Sequence, residues 1–384
     1  MRILHVTEGL HPDLGGPVRS VVTLAERQVA AGDSVTIAGF GREGAQEVAV
    51  PSRVAVLRLQ PLIRQLGVAS NVRELAEAVP RFDVIHLHGL WLLHCRLAAR
   101  VALKAGRPYI VSPRGMLYRS ALTVSRWRKR LALVLYQRSV LLGAAAIHCS
   151  TNDEVATVRC LGVTTPCAVL PNPIAGPPPQ GVPVIVRGPA LEGRRLALFL
   201  GRLHRTKGLD LLLRAWGQVP AETRRPWAVV IAGPDAGGYG VALRRLAASL
   251  GLTDEVRFLG PLSDEAKWGW LATSELLVAP FRGENFGNVV PEALLSGVPV
   301  MASREIPWHL LVEAGAGWWL PLDEGDWTRG LSEALAMNRE SLRAMGTRGA
   351  DKIRPLVSPE IVAAGVRSLY DWAAGVALQP AFVR

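Results

Sequence analysis

The chain alternates short apolar, β-prone runs with longer segments of helical periodicity, and it does so in two sets. The first set consists of RILHVT, SVTIAGF, VAVLRL, DVIHLH, RPYIVS and AAAIHC, and the second of LALFLG, WAVVIAG, EVRFLG, ELLVAP and VPVMAS. Strands that alternate with helices form parallel sheets, because each connecting helix packs on a face of the sheet. The sequence therefore predicts an α/β fold with two doubly wound parallel sheets.

A segment dense in proline and glycine, PNPIAGPPPQGVPVIVRGP at residues 171–189, separates the two sets and predicts a linker. A chain of 384 residues is also longer than one core usually accommodates. We therefore predict an N-terminal domain over 1–170 and a C-terminal domain over 190–357. A helix over 358–376, which begins at a Ser-Pro-Glu sequence, is predicted to pack back on the first domain. Ligands bind beyond the carboxyl ends of strands in such sheets, so we expect the two domains to face a cleft.

Cysteine usage and hydropathy indicate the compartment. Four cysteines, Cys95, Cys149, Cys160 and Cys167, form no C-x-x-C pair, which favours reduced thiols over disulfides or zinc. The N-terminus has no basic leader followed by a long apolar stretch, so no secretion signal is predicted. The longest central apolar run is interrupted by Arg138 and is shorter than the roughly 20 residues that a spanning helix needs. We expect a cytoplasmic protein, soluble or peripheral on the inner face of the membrane.

The net charge of +12 is unevenly distributed along the chain. Residues 84–152 contain no Asp or Glu but eleven Lys and Arg. A region of one sign attracts anionic partners, namely nucleic acid, phospholipid headgroups or a phosphorylated substrate. For any single cation, an ordinary solvated basic face explains the charge equally well.

Within this region, the stretch SRWRKRLALVLYQR at 125–138 predicts a helix with clustered cations, a tryptophan and an apolar face. Such a helix suits an anionic membrane surface, and we expect peripheral membrane contact through 119–138. The alternative is a core helix with a solvated basic side.

Glycines follow the first predicted strand, where Gly15 and Gly16 directly precede a predicted helix. A backbone without side chains can approach a ligand closely, and the N–H groups of a helix start point at negative charge. The stretch does not match G-x-G-x-x-G or a Walker motif, and a Gly-Gly turn alone is a weak signal.

Two cations follow the first strand of the second domain in GRLHRTKG. Arg202 and Lys207 flank a turn that Gly208 closes, at the carboxyl end of the strand. A guanidinium binds phosphate oxygens bidentately and an ammonium adds a point charge, so the two side chains together suit a diphosphate.

Two carboxylates bracket the stretch GENFGNVVPEALLSGVPV at 283–300. Pro291 is tolerated in a first helical turn and Gly297 can end the helix, so the loop RGENFG leads into a helix. The loop presents Glu284 and the backbone amides of Asn285, Phe286 and Gly287, and Glu292 lies about one turn into the helix.

Two fixed carboxylates can accept hydrogen bonds from the vicinal hydroxyls of a sugar and of a ribose. The arrangement therefore describes a nucleotide-sugar site. The alternative is that both glutamates merely complement the helix dipole.

These motifs, in this order, resemble glycosyltransferase family 4. The resemblance rests on the Glu-x7-Glu spacing of ENFGNVVPE, the GRLHRTKG turn, the N-terminal GG loop and the LPNPI linker, and it covers essentially the whole chain. It implies a retaining glycosyltransferase with the GT-B fold, which has two Rossmann-like domains. The donor would be a UDP-, GDP- or ADP-linked sugar, and the acceptor a glycan or lipid-linked diphosphate in bacterial cell-surface polysaccharide synthesis.

The resemblance also implies roles for individual residues. Arg202 and Lys207 would bind the donor diphosphate, Glu284 the transferred sugar, Glu292 the ribose, and Gly16 would lie against donor phosphates or sugar. Many relatives carry a histidine where YIVSPRGML has Arg114, and an arginine there would instead serve an anionic group. His86 and His88 share one strand face without a carboxylate at ligand spacing, so we predict no zinc site and keep His88, with Arg114, as a candidate catalytic residue.

The resemblance implies departure and attack on the same face of the sugar. In addition, no carboxylate of the N-terminal half is obviously placed as a nucleophile. Catalysis would then be mainly electrostatic, with Arg202 and Lys207 stabilising the leaving diphosphate. The sequence contains no Asp-x-Asp, so no metal or other cofactor is expected.

Three other classes compete with this interpretation. A hydride-transferring enzyme is disfavoured because VTEGLHPDLGG lacks the dinucleotide fingerprint. A GT-B sugar-nucleotide epimerase shares the fold and ligand but would act without an acceptor. A nucleic-acid-binding protein would fit a pI near 10.3 but leaves the two glutamates unexplained, so we expect no nucleic-acid partner.

Overall fold

The computed structural model describes residues 1–11, 14–41, 47–63, 66–123, 125–235 and 237–384, without the side chains of Arg119 and Ser120. The chain divides into two compact units. The first unit comprises Met1–Ile174 and Val357–Arg384, and the second comprises Ala175–Leu356. The predicted linker at 171–189 is therefore shared, with 171–174 in the first unit and 175–189 in the second.

The first unit contains β1 (Arg2–Gly9), α1 (Gly16–Ala30), β2 (Ser34–Phe40), β3 (Ala55–Leu59), β4 (Pro61–Ile63), β5 (Val68–Ala69), α2 (Val72–Ala78), β6 (Val84–His88), α3 (Leu93–Lys104), β7 (Tyr109–Ser112), α4 (Arg119–Thr123), α5 (Arg126–Ala132), α6 (Arg138–Leu142), β8 (Ala146–Cys149), α7 (Asn152–Cys160) and β9 (Cys167–Val169). A π-helical turn, Leu133–Gln137, joins α5 to α6.

The second unit contains β10 (Arg195–Leu200), α8 (Leu209–Gln218), α9 (Ala221–Arg224), β11 (Trp227–Ala232), α10 (Tyr239–Ser249), β12 (Val256–Gly260), α11 (Asp264–Thr273), β13 (Leu276–Ala279), α12 (Val289–Leu295), β14 (Val300–Ser303), α13 (Leu310–Glu313), β15 (Gly317–Leu320) and α14 (Glu324–Ala336). Helix α15 (Arg339–Val357) ends at the boundary, and α16 (Pro359–Ala373) follows in the first unit.

Each unit is built on one parallel sheet. The first sheet has the strand order β3-β2-β1-β6-β7-β8-β9 and the second has the order β12-β11-β10-β13-β14-β15. In both sheets the order reverses at the first strand, between β1 and β6 and between β10 and β13. All eleven predicted strands are present, which confirms the prediction of two doubly wound sheets. Doubly wound sheets bind ligands where the strand order reverses.

Apolar side chains cover both faces of the first sheet. One face packs against α1 and α16, where Val21 and Leu24 share a buried cluster with Val366 and Leu369. Helix α16, which follows the second unit in sequence, therefore completes the core of the first. Its start is capped by Ser358, whose hydroxyl accepts a hydrogen bond from the N–H of Ile361.

Three large tryptophans, Trp216, Trp227 and Trp327, fill the core of the second unit. Their indole N–H groups donate to the Glu255 carboxylate at 2.9 Å and to the carbonyls of Leu335 and Pro321 at 3.0 Å each. A buried N–H without an acceptor destabilises a fold, so these hydrogen bonds make large aromatic groups compatible with the interior.

The four cysteines are free thiols, as predicted from their spacing. Among the helices of the described residues, none combines the length and the apolar character that crossing a bilayer requires.

One close approach of two loops fixes the carboxyl ends of β10 and β13. Gly208 has a left-handed φ of 67°, and a Cβ atom at this position would lie 1.8 Å from the carbonyl oxygen of Pro280. Only glycine fits there, because the atom in the way belongs to the backbone.

Substitution of this glycine tests the close approach. Gly251 has a similar φ of 71°, but no atom of the described residues lies within 4 Å of a Cβ position there, so Gly251→Ala adds only the left-handed strain of about 1 kcal/mol. We expect Gly251→Ala to lower the thermal midpoint by about 2–4 °C, and Gly208→Ala to lower it at least twice as far. Equal decreases in calorimetry would contradict the steric argument.

Candidate functional site

Charged side chains gather where the strand order of the second sheet reverses. The loop after β10 carries Arg202 and Lys207, and the loop after β13 carries Glu284. The backbone N–H of Arg282 donates to the carbonyl of Thr206 at 2.8 Å, which ties the two loops together. Parallel strands thus bring residues that are about 80 positions apart in sequence to one edge of the sheet.

Lys207 ends a 3-10 turn, Arg205–Lys207, that Gly208 terminates in the left-handed conformation. Its ammonium forms an ion pair with the Glu284 carboxylate and lies 4.1 Å from the centroid of the Phe281 ring. The structure therefore brings together two of the predicted donor-binding residues, and the ion pair holds them in place.

Arg202 is exposed and has no ion pair or hydrogen bond to any of the described residues. A guanidinium in solvent at the carboxyl edge of a sheet keeps all of its donors for an anionic ligand. Its surroundings fit the predicted contact with a diphosphate.

The loop between Glu284 and α12 turns sharply. Gly283 and Gly287 have φ values of 133° and 69°, and the side chains of Asn285 and Phe286 are buried. The Phe286 ring packs edge-on against Trp308 at 5.0 Å, and the Trp308 indole N–H donates to the Phe286 carbonyl. With both side chains turned inward, the backbone of this loop is the part that can approach a ligand.

Glu292 lies in α12, in which Pro291 is the third residue and after which Gly297 takes a left-handed φ of 72°. The predicted positions of Pro291 in the first helical turn and of Gly297 after the helix are thus confirmed. The Glu292 carboxylate forms a 2.7 Å ion pair with Lys267 of α11. Sequence reasoning missed Lys267, because no motif marks it and 25 positions separate it from its partner.

In the first unit, Gly15 and Gly16 stand at the start of α1, as predicted. Gly15 has a φ of 68°, and, among the residues that the structure describes, none has an atom within 4 Å of a Cβ position there. The glycine is therefore required by backbone conformation rather than by crowding. The neighbouring residues Pro12 and Asp13 lie outside the described part of the chain.

His88 and Arg114 belong to a buried polar network beneath the first sheet's carboxyl edge. The network includes His5 of β1 and His86 of β6, and the three histidines are at most 3% exposed. Arg114 donates to His88 Nδ1 at 3.0 Å and to the side-chain oxygen of Asn172. His86 contacts the Tyr370 hydroxyl at 2.6 Å, which connects the network to α16.

The arginine fixes the direction of the hydrogen bonds. A guanidinium can only donate, so Nδ1 of His88 must accept and Nε2 must carry the proton of the neutral ring. Nε2 of His88 then donates to His5 Nδ1 at 2.9 Å, and His5 Nε2 donates to the Gln28 side-chain oxygen at 2.8 Å. One arginine thus sets the tautomers of two histidines in a row.

Burial keeps these histidines neutral. It lowers the pKa of His5 to about 4 and that of His148 to about 3, and it lowers the pKa of His86 and His88 well below the ordinary value. Burial also lowers the pKa of Arg114 to about 10, so this side chain stays cationic at neutral pH. A direct contact between His88 and a substrate would require a hydrogen bond to His5 or Arg114 to break.

The nitrogens of His5, His86 and His88 lie within 4.8 Å of one another, close enough to surround a metal ion. His5 joins the pair seen in the sequence because β1 and β6 are neighbours with His5 opposite His86. Every ring, however, already uses both nitrogens in hydrogen bonds to protein groups, and the Arg114 cation touches His88. This donor set fits a hydrogen-bond network better than a cation site.

The helix predicted at 125–138 is present as α5, the π-helical turn and the start of α6, and most of its large apolar side chains are exposed. No side chain of α5 is buried, and Trp127, Leu131, Val134 and Leu135 are all more than half exposed, with Val134 at 81%. The alternative of a core helix is therefore wrong for this segment. Within 119–138, Val124 and the side chains of Arg119 and Ser120 lie outside the described residues.

An open groove of about 410 Å³ runs along α3 beside this segment. Its lining alternates apolar and cationic side chains at helical spacing: Leu93, Arg96, Leu97, Arg100, Val101 and Lys104. The Arg96 guanidinium lies 5.1 Å from the centroid of the Tyr136 ring, so the groove and the 125–138 segment are neighbours.

Family models match both halves of the chain. The model described as glycosyl transferase 4-like domain matches residues 15–173, and the model described as glycosyl transferases group 1 matches residues 185–352. A D-inositol 3-phosphate glycosyltransferase of Frankia alni is 31% identical over 58% of this chain. The match spans 57% of the length of that relative, which is less than two thirds. A GDP-mannose:cellobiosyl-diphosphopolyprenol alpha-mannosyltransferase of Xanthomonas oryzae is 26% identical over 89% of both chains.

Solved structures share the fold. Anabaena HepE, in complex with UDP and glucose, superposes with a TM-score of 0.76 at 18% identity over 97% of this chain and all of its own. Sucrose-phosphate synthase from Thermosynechococcus elongatus gives 0.76 at 19% identity over 98% of this chain and all of its own. The two family models, which together match most of the chain, show that it belongs to the glycosyltransferases of the family 4 type, and the two solved structures show that it has the GT-B fold.

Proposed function

We propose that the chain is a retaining hexosyltransferase that transfers a sugar from a UDP-, GDP- or ADP-linked donor to a glycan or lipid-linked diphosphate acceptor in cell-surface polysaccharide synthesis. The observation that carries the proposal is the convergence of Arg202, Lys207 and Glu284 where the strand order of the second sheet reverses. The mannosyltransferase relative, whose name contains GDP-mannose and a diphosphopolyprenol, supports the same classes of donor and acceptor.

Each charged group has a task in this proposal. Arg202 and Lys207 bind the donor diphosphate, while Glu284 accepts hydrogen bonds from the hydroxyls of the transferred sugar and Glu292 from those of the ribose. The backbone of Asn285, Phe286 and Gly287 lies against sugar or phosphate, because the side chains of the first two are turned inward. In the first unit, Gly15 and Gly16 give a ligand access to the backbone, and the unit binds the acceptor.

The chemical step breaks the bond between the anomeric carbon and the phosphate oxygen, whose electron pair stays on the diphosphate. The acceptor hydroxyl attacks the anomeric carbon from the same face and passes its proton to that phosphate oxygen. Fixed cations stabilise the charge that develops on the leaving group. The pairing of Glu284 with Lys207 favours this route over a covalent intermediate, since an ion-paired carboxylate is a weaker nucleophile.

We also propose that this transfer has no obligatory metal ion. The sequence offers no Asp-x-Asp, and two side-chain cations are available for the diphosphate. His88 and Arg114 act in this scheme through the buried network, with Arg114 as the member that can serve an anionic group.

Arginine and lysine substitutions test the leaving-group role. We expect Arg202→Ala and Lys207→Ala each to lower kcat about 10²–10³-fold, the cost of losing one preorganised charge contact in a transition state. Arg214→Ala is the matched control, because Arg214 is an exposed arginine of α8 in the same unit. Near-intact transfer rates in both site variants, measured with radiolabelled donor, would contradict the mechanism.

A nucleotide panel tests the donor site without an acceptor. UDP, GDP and ADP are added separately at about 100 times the dissociation constant of the tightest binder. That nucleotide should stabilise the folded state by about 2.7 kcal/mol and raise the thermal midpoint by several degrees. Glu292→Gln should reduce the shift, whereas Glu313→Gln, which changes an exposed carboxylate of the same unit, should not. The absence of a shift with all three would contradict the donor assignment.

We further propose that the 125–138 segment and the α3 groove rest on an anionic membrane. Exposed apolar groups beside clustered cations match the headgroup region of a bilayer, where each basic residue contributes about 1 kcal/mol of attraction.

A triple variant that removes three positive charges tests this surface. Arg126, Arg128 and Arg130 are exposed, whereas Lys129 donates to the Ala121 carbonyl and is left in place. The three Arg→Gln changes should weaken co-sedimentation with phosphatidylglycerol vesicles at least tenfold. Arg→Gln changes at 245, 343 and 354, all exposed in α10 and α15, remove the same charge and should have little effect. Equal losses would indicate nonspecific attraction by net charge.

A further inference from the structure

Lys267 lies next to the proposed donor site, and no sequence motif accounts for this residue. Its ammonium lies 2.7 Å from Glu292 Oε1, and the two side chains are each only 13% exposed. We infer that Lys267 is a positioning residue that fixes the Glu292 carboxylate for the ribose hydroxyls of the donor. This inference rests on the proposed function and adds a residue to it.

The surroundings of Lys267 make this ion pair a fixed one. The ammonium lies 4.7 Å from the centroid of the Trp268 ring and 3.9 Å from the carboxylate of Asp264. A poorly solvated ammonium needs a partner, since removal of one member of a largely buried pair leaves the other uncompensated. Glu292 is the one carboxylate within hydrogen-bond distance of Lys267 among the described residues.

The helix that carries Lys267 is itself anchored. A Cβ atom at Gly269 would lie 2.7 Å from both the Pro183 carbonyl oxygen and the Ile185 side chain, so the segment at 183–187 lies directly against α11. Arg187 of that segment donates to the Thr273 carbonyl at 2.7 Å, at the end of the helix. Backbone packing thus holds the lysine in place, and the lysine holds the glutamate.

The ion pair with Lys267 leaves the Glu292 carboxylate able to accept further hydrogen bonds. Lys267 contacts Oε1, and a carboxylate has about four lone-pair sites on its two oxygens. A vicinal diol can therefore be accepted without breaking the ion pair. Without Lys267, no ion pair would hold the glutamate carboxylate in this position, and the diol would have to order it on binding.

The test compares two ligands across a set of variants. Isothermal titration measures the affinity for the nucleoside diphosphate that binds best and for its 2′,3′-dideoxy form, which lacks the diol. The variants are Lys267→Met, which keeps the length without the charge, Lys267→Arg, Glu292→Gln and the double variant Lys267→Met/Glu292→Gln. Glu275→Gln is the control, because it breaks the 2.7 Å ion pair with Arg195 in the same unit.

We expect Lys267→Met to weaken binding of the ribose form about tenfold and to leave the dideoxy form unchanged. Glu292→Gln should do the same, the double variant should be no worse than either single change, and Lys267→Arg should restore most of the affinity. Glu275→Gln should lower the thermal midpoint without changing either affinity.

Other outcomes overturn the inference in distinguishable ways. Lys267 does not act through Glu292 if Lys267→Met weakens the binding of both nucleotides equally or leaves both affinities unchanged. The same conclusion holds if the fold-losses of Lys267→Met and Glu292→Gln multiply in the double variant. If the wild-type protein binds the nucleotide but does not distinguish the dideoxy form, the donor site stands and the role of Glu292 is wrong. If the wild-type protein binds none of the nucleotides, the proposed function is wrong and the inference falls with it.

Discussion

The contact of Gly208 with the Pro280 carbonyl is the constraint on which the second unit's charged site depends. It allows the loop after β10 to lie against the loop after β13, and the hydrogen bond from Arg282 to Thr206 secures that approach. Any side chain at Gly208 would separate the loops and, with them, Lys207 from Glu284. A residue with no functional group of its own thus determines whether the ion pair can form.

The polar groups of the two units differ in their charge and burial. In the first unit, burial keeps the histidines neutral, and a single cation, Arg114, sets the direction of a chain of hydrogen bonds to Gln28. In the second unit, Lys207 and Glu284 form an ion pair at the edge of the sheet, and in the proposed function a ligand replaces one of the partners. The first arrangement resists change, whereas the second can exchange partners, and that is what a binding site requires.

The sequence predicted the strands and the positions of the candidate site residues because these signals are local. Each predicted strand is an apolar run bounded by turns, and Arg202, Lys207, Glu284 and Glu292 stand at fixed spacings from glycine or proline. Four strands were missed, namely β4, β5 and β9, which are only two or three residues long, and the four-residue β15.

What the sequence could not predict depends on contacts between distant segments. The Lys267–Glu292 pair needs α11 to pack beside α12, and the His5–His88 hydrogen bond needs β1 to lie next to β6. Nor does helical periodicity determine which side of a helix is covered. From the sequence, the apolar face at 125–138 fits a core as well as a membrane surface, and only the exposure of Trp127 and Val134 speaks against the core.

In the proposed donor site, the ion pairs impose an order of events. Arg202 has no partner to give up among the described residues, so a diphosphate meets it first without breaking an existing contact. The doubly charged diphosphate then competes with Glu284 for Lys207, and capture of the lysine releases the carboxylate for the hydroxyls of the sugar. Recognition of the sugar thereby follows recognition of the phosphate. A free sugar carries no negative charge and cannot compete with Glu284 for Lys207. The carboxylate would stay in its ion pair, and the free sugar would bind weakly.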